Sequence, residues 1–180
     1  MDNAQFVKLC SKAWTIPVLS ALAKYKGGRI APIATKLDAS RSSITTTFQH
    51  LAEIGLITRN TGHGHPLRPE FVLTSKGQRV AEWANSVDIS IPVSDQPLLR
   101  KQWTLPVLRL IDKPRRYRDL REFLRPVTDR ALSISLKEMI ERDWLERLVE
   151  NDHSPPRVAY RPAGFATRLQ PILSSSFQLS

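Results

Sequence analysis

Two segments of the chain carry short polar side chains that would share one face of a helix. Removing the apolar positions from helices predicted over residues 41–54 and 129–142 leaves Arg41, Ser42, Ser43, Thr45, Thr46 and Gln49 in the first, and Arg130, Ala131, Ser133, Ile134 and Lys137 in the second. Arginine can bind guanine and glutamine can bind adenine through paired hydrogen bonds, and the methyl groups of Thr, Ala or Ile can contact thymine. Any one of these residues could be an ordinary solvated position, but together they favour contact with the base edges of DNA.

Basic side chains are predicted on the hairpin tips and helices around these two faces. The hairpin tips carry Arg59, His63, His65 and Arg68 in the first half and Arg147, His153 and Arg157 in the second, and the preceding helices carry Lys36, Arg118 and Arg121. Contacts to phosphates or to a minor groove position a protein on a duplex but do not read its sequence directly. We therefore interpret these residues as positioning contacts; the alternative for each is a solvated basic group.

No set of residues has the spacing of a catalytic or metal site. His63 and His65 could supply half of a metal site, but no cysteine or acidic cluster of ligand spacing accompanies them. Gly27 and Gly28 close a predicted helix instead of opening one after a strand, unlike a phosphate-binding loop. Cys10, the single cysteine, lies on an apolar helix face, where thiols are usually inert. The sequence predicts no enzyme, no metal and no cofactor.

An internal repeat determines the elements that position these residues. The segment KAWTIPVLSAL over residues 12–22 returns as KQWTLPVLRLI over residues 101–111, with six identities in eleven positions. In each copy the threonine, Thr15 or Thr104, is predicted to cap a helix whose first turn contains a proline. Trp14 and Trp103 would lie just outside the caps. We interpret the repeated segment as core.

Each copy continues in the order helix, helix, turn, helix, strand, loop, strand, helix. This order is that of a winged helix-turn-helix domain, in which the second helix of the pair enters the major groove. The predicted fold class is mainly α with small β-hairpins (α+β). The predicted domains are residues 1–88 and 98–180, joined by a linker over residues 89–97 that Pro92 and Pro97 would keep extended.

The charge of the chain favours a polyanionic partner. The 27 Lys and Arg residues against 17 Asp and Glu give a net charge of +10, and each half carries +5. The basic excess therefore belongs to the repeated unit and not to a tail, which points to double-stranded DNA. No apolar run approaches the length of a membrane span, and no secretory signal is recognisable. We expect a soluble cytoplasmic, nucleoid-associated protein; a merely soluble basic protein is the alternative.

The repeat and the segments after it resemble the HxlR-type winged helix-turn-helix transcriptional regulators. KAWTIPVL and KQWTLPVL are similar to the "GKWT" start of that family, and PRRYRDLREFL is similar to its "RRFxEL" helix. The segment DWL over residues 143–145 resembles its "DGLV" exit from the recognition helix, and PPRVAY over residues 155–160 resembles its "PPRVEY" wing. The second copy is the stronger match, and the two copies cover most of the chain.

The resemblance implies sequence-specific duplex binding by a bacterial transcription regulator. Family members usually carry one such domain and act as homodimers through their terminal helices, so two copies in one chain imply a covalent pseudo-dimer. The helices predicted over residues 2–12, 78–88, 95–102 and 165–177 would form its internal interface. A further pairing of two chains and a small-molecule effector stay open. The redox role of a cysteine in some relatives is not transferred to Cys10.

A second hypothesis comes from another functional class. Tandem winged-helix proteins also act as protein–protein adaptors in chromosome or transcription complexes, using the same surfaces. Such adaptors tend to be acidic or neutral on the recognition face, whereas both halves here are basic. DNA binding is therefore the leading prediction.

Overall fold

A computed structural model describes residues 1–60, 69–150 and 157–175 of the 180-residue chain. The fold is mainly α-helical with small antiparallel sheets, as the sequence predicts. The chain forms two compact units, one built around each copy of the repeat.

The first compact unit, Ser11–Arg100, contains the first winged helix-turn-helix. Its strands pair antiparallel, with Ile57 opposite Leu73, and Gly28 adds a single bridge to Phe71. Its elements are α2 (Thr15–Tyr25), α3 (Ile30–Lys36), α4 (Arg41–Glu53), β1 (Ile57–Arg59), β2 (Phe71–Leu73), α5 (Ser75–Ser90), a 3-10 turn (Val93–Asp95) and α6 (Gln96–Leu99).

The second compact unit joins Met1–Cys10 to the chain from Lys101 onward. Its three-stranded sheet has the order β3-β5-β4, and both pairings are antiparallel. Its elements are α1 (Asn3–Leu9), α7 (Thr104–Leu110), β3 (Arg115–Arg116), α8 (Tyr117–Phe123), α9 (Asp129–Glu141), β4 (Leu145–Glu150), β5 (Arg157–Pro162) and α10 (Ala166–Ser174).

The helix before each copy of the repeat belongs to the compact unit of the other copy. Helix α1 precedes the first copy but packs on α7, where the Arg109 guanidinium donates to Met1 O at 2.8 Å and lies 4.6 Å from the Phe6 ring centroid. Helix α6 precedes the second copy but belongs to the first unit, where the Arg100 guanidinium lies over Trp14. The compact units thus divide the chain differently from the predicted domains 1–88 and 98–180, which stay a prediction.

The prediction that residues 89–97 are extended is wrong. Helix α5 continues to Ser90, and the 3-10 turn and α6 follow almost at once. Pro97 does not interrupt α6 because it lies in the first turn, where a missing N–H leaves no helical bond broken. The Gln96 side chain donates to Asp88 O at 2.9 Å and fastens the segment to the end of α5.

The repeated helices are core, but their threonines are not caps. Trp14 and Trp103 themselves occupy the N-cap positions, and no side-chain hydrogen bond caps α2 or α7. Thr15 and Thr104 are 1% exposed, and within the described part of the chain their hydroxyl oxygens have no hydrogen-bond partner. The whole first turn of each helix is buried, and the threonines lie inside the helix instead of at its end. Burial of this turn therefore overrides the preference of threonine for the N-cap position.

The helical spacing predicts an apolar stripe of Ile44, Phe48, Leu51 and Ala52 on α4 and of Leu132, Leu136, Met139 and Ile140 on α9, and most of each stripe is buried. Ile44, Phe48 and Leu51 are buried, but the predicted Ala52 is exposed, and Thr47 and His50 take its place. Thr47 can be buried because its hydroxyl donates to Ser43 O at 2.9 Å, so no polar group is left unpaired. In α9 the buried residues are Leu132, Ser135, Leu136 and Met139, while the predicted Ile140 is only half-buried.

At Gly77, α5 closely approaches the backbone of Leu56, immediately before β1. A Cβ atom at Gly77 would lie 1.8 Å from Leu56 O, so Gly77→Ala forces the two backbones apart. We expect a loss of roughly 3 kcal/mol in the free energy of unfolding, measured by urea denaturation. Gly55→Ala is the matched control: its φ is +72° and no atom lies within 4 Å of the added Cβ, so only the left-handed backbone costs about 1 kcal/mol. Equal losses in the two variants would contradict this packing.

Candidate nucleic-acid interface

The first helix-turn-helix consists of α3 packed on α4. The turn between them passes through Asp38, whose φ of 48° is left-handed backbone that aspartate tolerates better than most residues. Ser40 then caps α4, because its Oγ accepts from the Ser43 N–H at 3.2 Å. Capping fixes where α4 begins and therefore which side chains its first turn presents.

All six residues predicted for the first polar face avoid the buried side of α4. Thr45 Oγ1 and Thr46 Oγ1 donate to the carbonyl oxygens of Arg41 and Ser42, at 2.8 and 3.0 Å. Their hydroxyl protons are therefore used inside the helix, and a ligand would meet acceptor oxygens and methyl groups. The exposed members are Arg41, Ser42, Thr46 and Gln49, and the half-buried ones are Ser43 and Thr45.

The second polar face is built in the same way on α9, after α8. Thr128 caps α9 and accepts from the Ala131 N–H at 3.2 Å. Ile134 is 48% exposed and presents an apolar side chain at the position where α4 has Thr46. The exposed predicted residues are Arg130, Ser133, Ile134 and Lys137, and Ala131 is half-buried.

A polar cluster at the start of α9 was missed by the sequence analysis. Arg121 Nε lies 2.9 Å from Asp129 Oδ1, and the Tyr117 hydroxyl shares its one proton between the Asp129 carbonyl oxygen, at 3.0 Å, and the same carboxylate oxygen, at 3.1 Å. Tyr117 Oη is also 3.2 Å from Ser133 Oγ. The signal in the sequence is the spacing of Tyr117 and Arg121, which places both side chains on one face of α8. Their partner Asp129 could be found only once the turn geometry was known.

The described members of the predicted positioning residues are exposed. Lys36, at the end of α3, contacts the Tyr25 hydroxyl, and its ammonium lies 4.0 Å from the Tyr25 ring centroid. This hydrogen bond from Lys36 lowers the pKa of Tyr25. Arg121 is engaged by Asp129. The remaining described members are all exposed, on β1, α8, β4 and β5: Arg59, Arg118, Arg147 and Arg157. His63, His65, Arg68 and His153 lie outside the described residues.

One known family matches the chain twice, once over each copy of the repeat. The sequence model of the HxlR-like helix-turn-helix family matches residues 9–88 and, separately, residues 98–179. The chain belongs to the HxlR-like helix-turn-helix family. No curated protein and no solved structure matches it. HxlR-like proteins are DNA-binding transcription regulators. Helices α4 and α9 each lie within one of the two matched segments.

The two HxlR-like domains support their hairpins differently. In the second, β3 pairs with β5, and the Arg115 side chain donates to Leu110 O at 2.9 Å, which makes Arg115 a structural residue. In the first, the corresponding support is reduced to the Gly28–Phe71 bridge, whose two backbone hydrogen bonds are both 2.9 Å long. Across β4 and β5, Arg161 pairs with Glu146 at 2.6 Å.

Neither a metal centre nor a membrane span is found in the described part of this HxlR-like chain. No group of three or more His, Cys, Asp or Glu residues there could hold a metal ion. No helix among these residues is long and apolar enough to cross a membrane.

Cys10 is buried as a free thiol in the second unit. Burial raises the pKa of this thiol to about 12, and the nearby Arg109 guanidinium offsets only part of that rise. The thiol is therefore protonated at physiological pH, whereas the thiolate is the reactive form.

Modification of Cys10 should be slow in the native protein. Near pH 8, a thiol with a pKa of about 12 has roughly a thousandfold less thiolate than an ordinary cysteine, so a thiol reagent should modify the native chain far more slowly than the urea-unfolded chain. The native rate should keep rising above pH 9, while the unfolded rate levels off near its ordinary pKa. Rapid stoichiometric labelling of native protein at pH 8 would contradict the burial of this thiol.

Proposed function

We propose that this chain is a sequence-specific regulator that binds double-stranded DNA with α4 and α9 in successive major grooves. The observation that carries the proposal is the shared construction of the two helices. Each has thirteen residues, follows a hydroxyl N-cap, buries its apolar side and leaves arginine, amide, hydroxyl or methyl-bearing side chains exposed. Side chains of these types match the donor and acceptor pattern of the major groove.

The hairpins would contact the backbone or the adjacent minor groove. Arg59 on β1 and Arg147 and Arg157 on β4 and β5 are exposed, and their charge suits phosphates. His63, His65, Arg68 and His153 would belong to the same contacts. With a net charge of +10, binding should weaken steeply as salt rises because condensed counterions are released from the duplex.

One chain would act as a pseudo-dimer. Its two recognition helices carry different residues, so the preferred site should be an imperfect inverted repeat. Half-site centres one duplex turn apart, about 34 Å, are expected for such a pair of helices. The terminal helices would form the internal interface, and the protein would act in the bacterial cytoplasm on the nucleoid.

Selection from a random-sequence duplex library at about physiological salt tests this function. Recovery of an imperfect inverted repeat with two unlike half-sites is the expected result. Duplex binding without any enriched motif would indicate an architectural role and contradict sequence-specific regulation. Failure to retain duplex even at low salt would contradict DNA binding and favour the protein–protein adaptor.

Arg130→Ala should weaken binding to the selected site and relax the base preference at one position. A bidentate arginine–guanine contact is worth about 1–3 kcal/mol, so titration of the selected duplex should show about 5- to 150-fold weaker binding. Arg168→Ala is a matched control because it removes one exposed arginine from α10, outside the helix-turn-helix. An equal loss on every sequence, with a shallower salt dependence, would instead make Arg130 a phosphate contact.

A further inference from the structure

The two helix-turn-helix pairs can be compared residue by residue. Helices α4 and α9 have equal lengths, and both bury their fourth residue, Ile44 or Leu132. Arg41 and Asp129 are therefore equivalent first residues. Helices α3 and α8 have seven residues each and bury their fourth. Tyr117 and Arg121 thus occupy the positions of Ile30 and Ala34 in the first copy.

The polar cluster at the start of α9 is therefore absent from the first copy as a complete set. Where the second copy has Tyr117, Arg121 and Asp129, the first has Ile30, Ala34 and Arg41. The carboxylate and both of the side chains that contact it are replaced together. This pattern indicates that Tyr117 and Arg121 are present to hold Asp129.

Stability alone does not account for the cluster. The side chains of Arg121 and Asp129 are 57% and 60% exposed, and exposed ion pairs add little to the stability of a fold. Leu120 of α8 and Leu132 of α9 are fully buried, so each helix is already anchored by apolar burial. What the cluster does provide is a carboxylate fixed in direction at the first position of the recognition helix.

We propose that Asp129 is a specificity-determining residue that accepts a hydrogen bond from the N4 amino group of cytosine in the second half-site. Both Arg121 and Tyr117 contact Oδ1, and within the described part of the chain Oδ2 has no partner. An ionised carboxylate accepts hydrogen bonds only, and cytosine presents an amino donor in the major groove. The inference rests on the proposed function and names the base that this part of the site reads.

Arg121 is then a positioning residue. A free carboxylate at this position would be repelled by the phosphates of the duplex. The adjacent guanidinium offsets that repulsion. Its contact to Oδ1, together with that of Tyr117, holds the carboxylate group in one orientation and so sets the direction of Oδ2. Arg121 therefore acts through Asp129 and is not primarily a phosphate contact.

The two half-sites should differ at this position in a defined way. The first copy has Arg41 at the equivalent position, where its exposed guanidinium suits the O6 and N7 acceptors of guanine. The site should therefore have guanine in one half and cytosine at the matching place in the other. Two identical readers would instead select the same base in both halves.

The test compares Asp129→Asn with Glu141→Gln in selections from the same random duplex library. The two changes remove one carboxylate each from α9, and both side chains are 60% exposed, but Glu141 lies at the far end and pairs with Lys137 at 3.7 Å. Asp129→Asn should lower the preference for cytosine at one position by about tenfold. Glu141→Gln should leave the motif unchanged. Equal motifs from the two variants would overturn the proposal.

Arg121→Ala tests the positioning role through base preference. It should reduce the same cytosine preference in the wild-type background but have no further effect on preference in the Asp129→Asn background. A uniform loss of affinity on all duplexes, with no change of motif, would make Arg121 a phosphate contact and overturn its positioning role.

The wild-type selection separates failure of this inference from failure of the proposed function. A motif with the same base at this position in both half-sites would overturn the role of Asp129 and leave sequence-specific binding intact. Recovery of no motif would overturn both.

Discussion

Nearly complete burial of α2 and α7 is the constraint on which each half of this protein depends. Val18, Leu19, Leu22, Val107 and Leu108 are all 0% exposed, and each such side chain contributes about 1.5–3 kcal/mol by its removal from water. A helix buried on every side must be covered by other elements. Helix α2 is covered by α4, α5 and β2, and α7 is covered by α1 and α10. Thr15 and Thr104 lie in these helices with unpaired hydroxyls in the described part of the chain. The free energy gained by burying the surrounding apolar side chains offsets the cost of burying these two hydroxyls.

The sequence was sufficient for the elements whose signals are local. The spacing of Ile44, Phe48, Leu132 and Leu136 located α4 and α9 to within a residue or two. The polar faces followed directly from these boundaries. Capping and helical periodicity depend on residues within one or two turns, so a sequence displays them without knowledge of the fold.

Features that depend on distant parts of the chain were missed or wrong. The cluster of Asp129, Tyr117 and Arg121 needs the relative placement of two helices across a turn. The segment containing Pro92 and Pro97 has the composition of a linker, yet the leucines that follow it, Leu98 and Leu99, are buried. Whether a short apolar segment is exposed or covered depends on tertiary packing, which local composition does not determine.

The exchange of α1 and α6 between the two halves has a consequence for how the chain must fold. Arg109 and Met1 are joined by a hydrogen bond across 108 positions, so α1 meets this partner only after all the residues between them have been synthesised. Contacts between residues so far apart in sequence slow folding because a large loop must close before they form. During synthesis α1 would therefore lack its native contact with α7 until that helix has been made. A chain that ends after the first copy would contain α1 without the α7 on which it packs. It would also lack α6, which belongs to the first unit, so such a chain would not form an intact half of the protein.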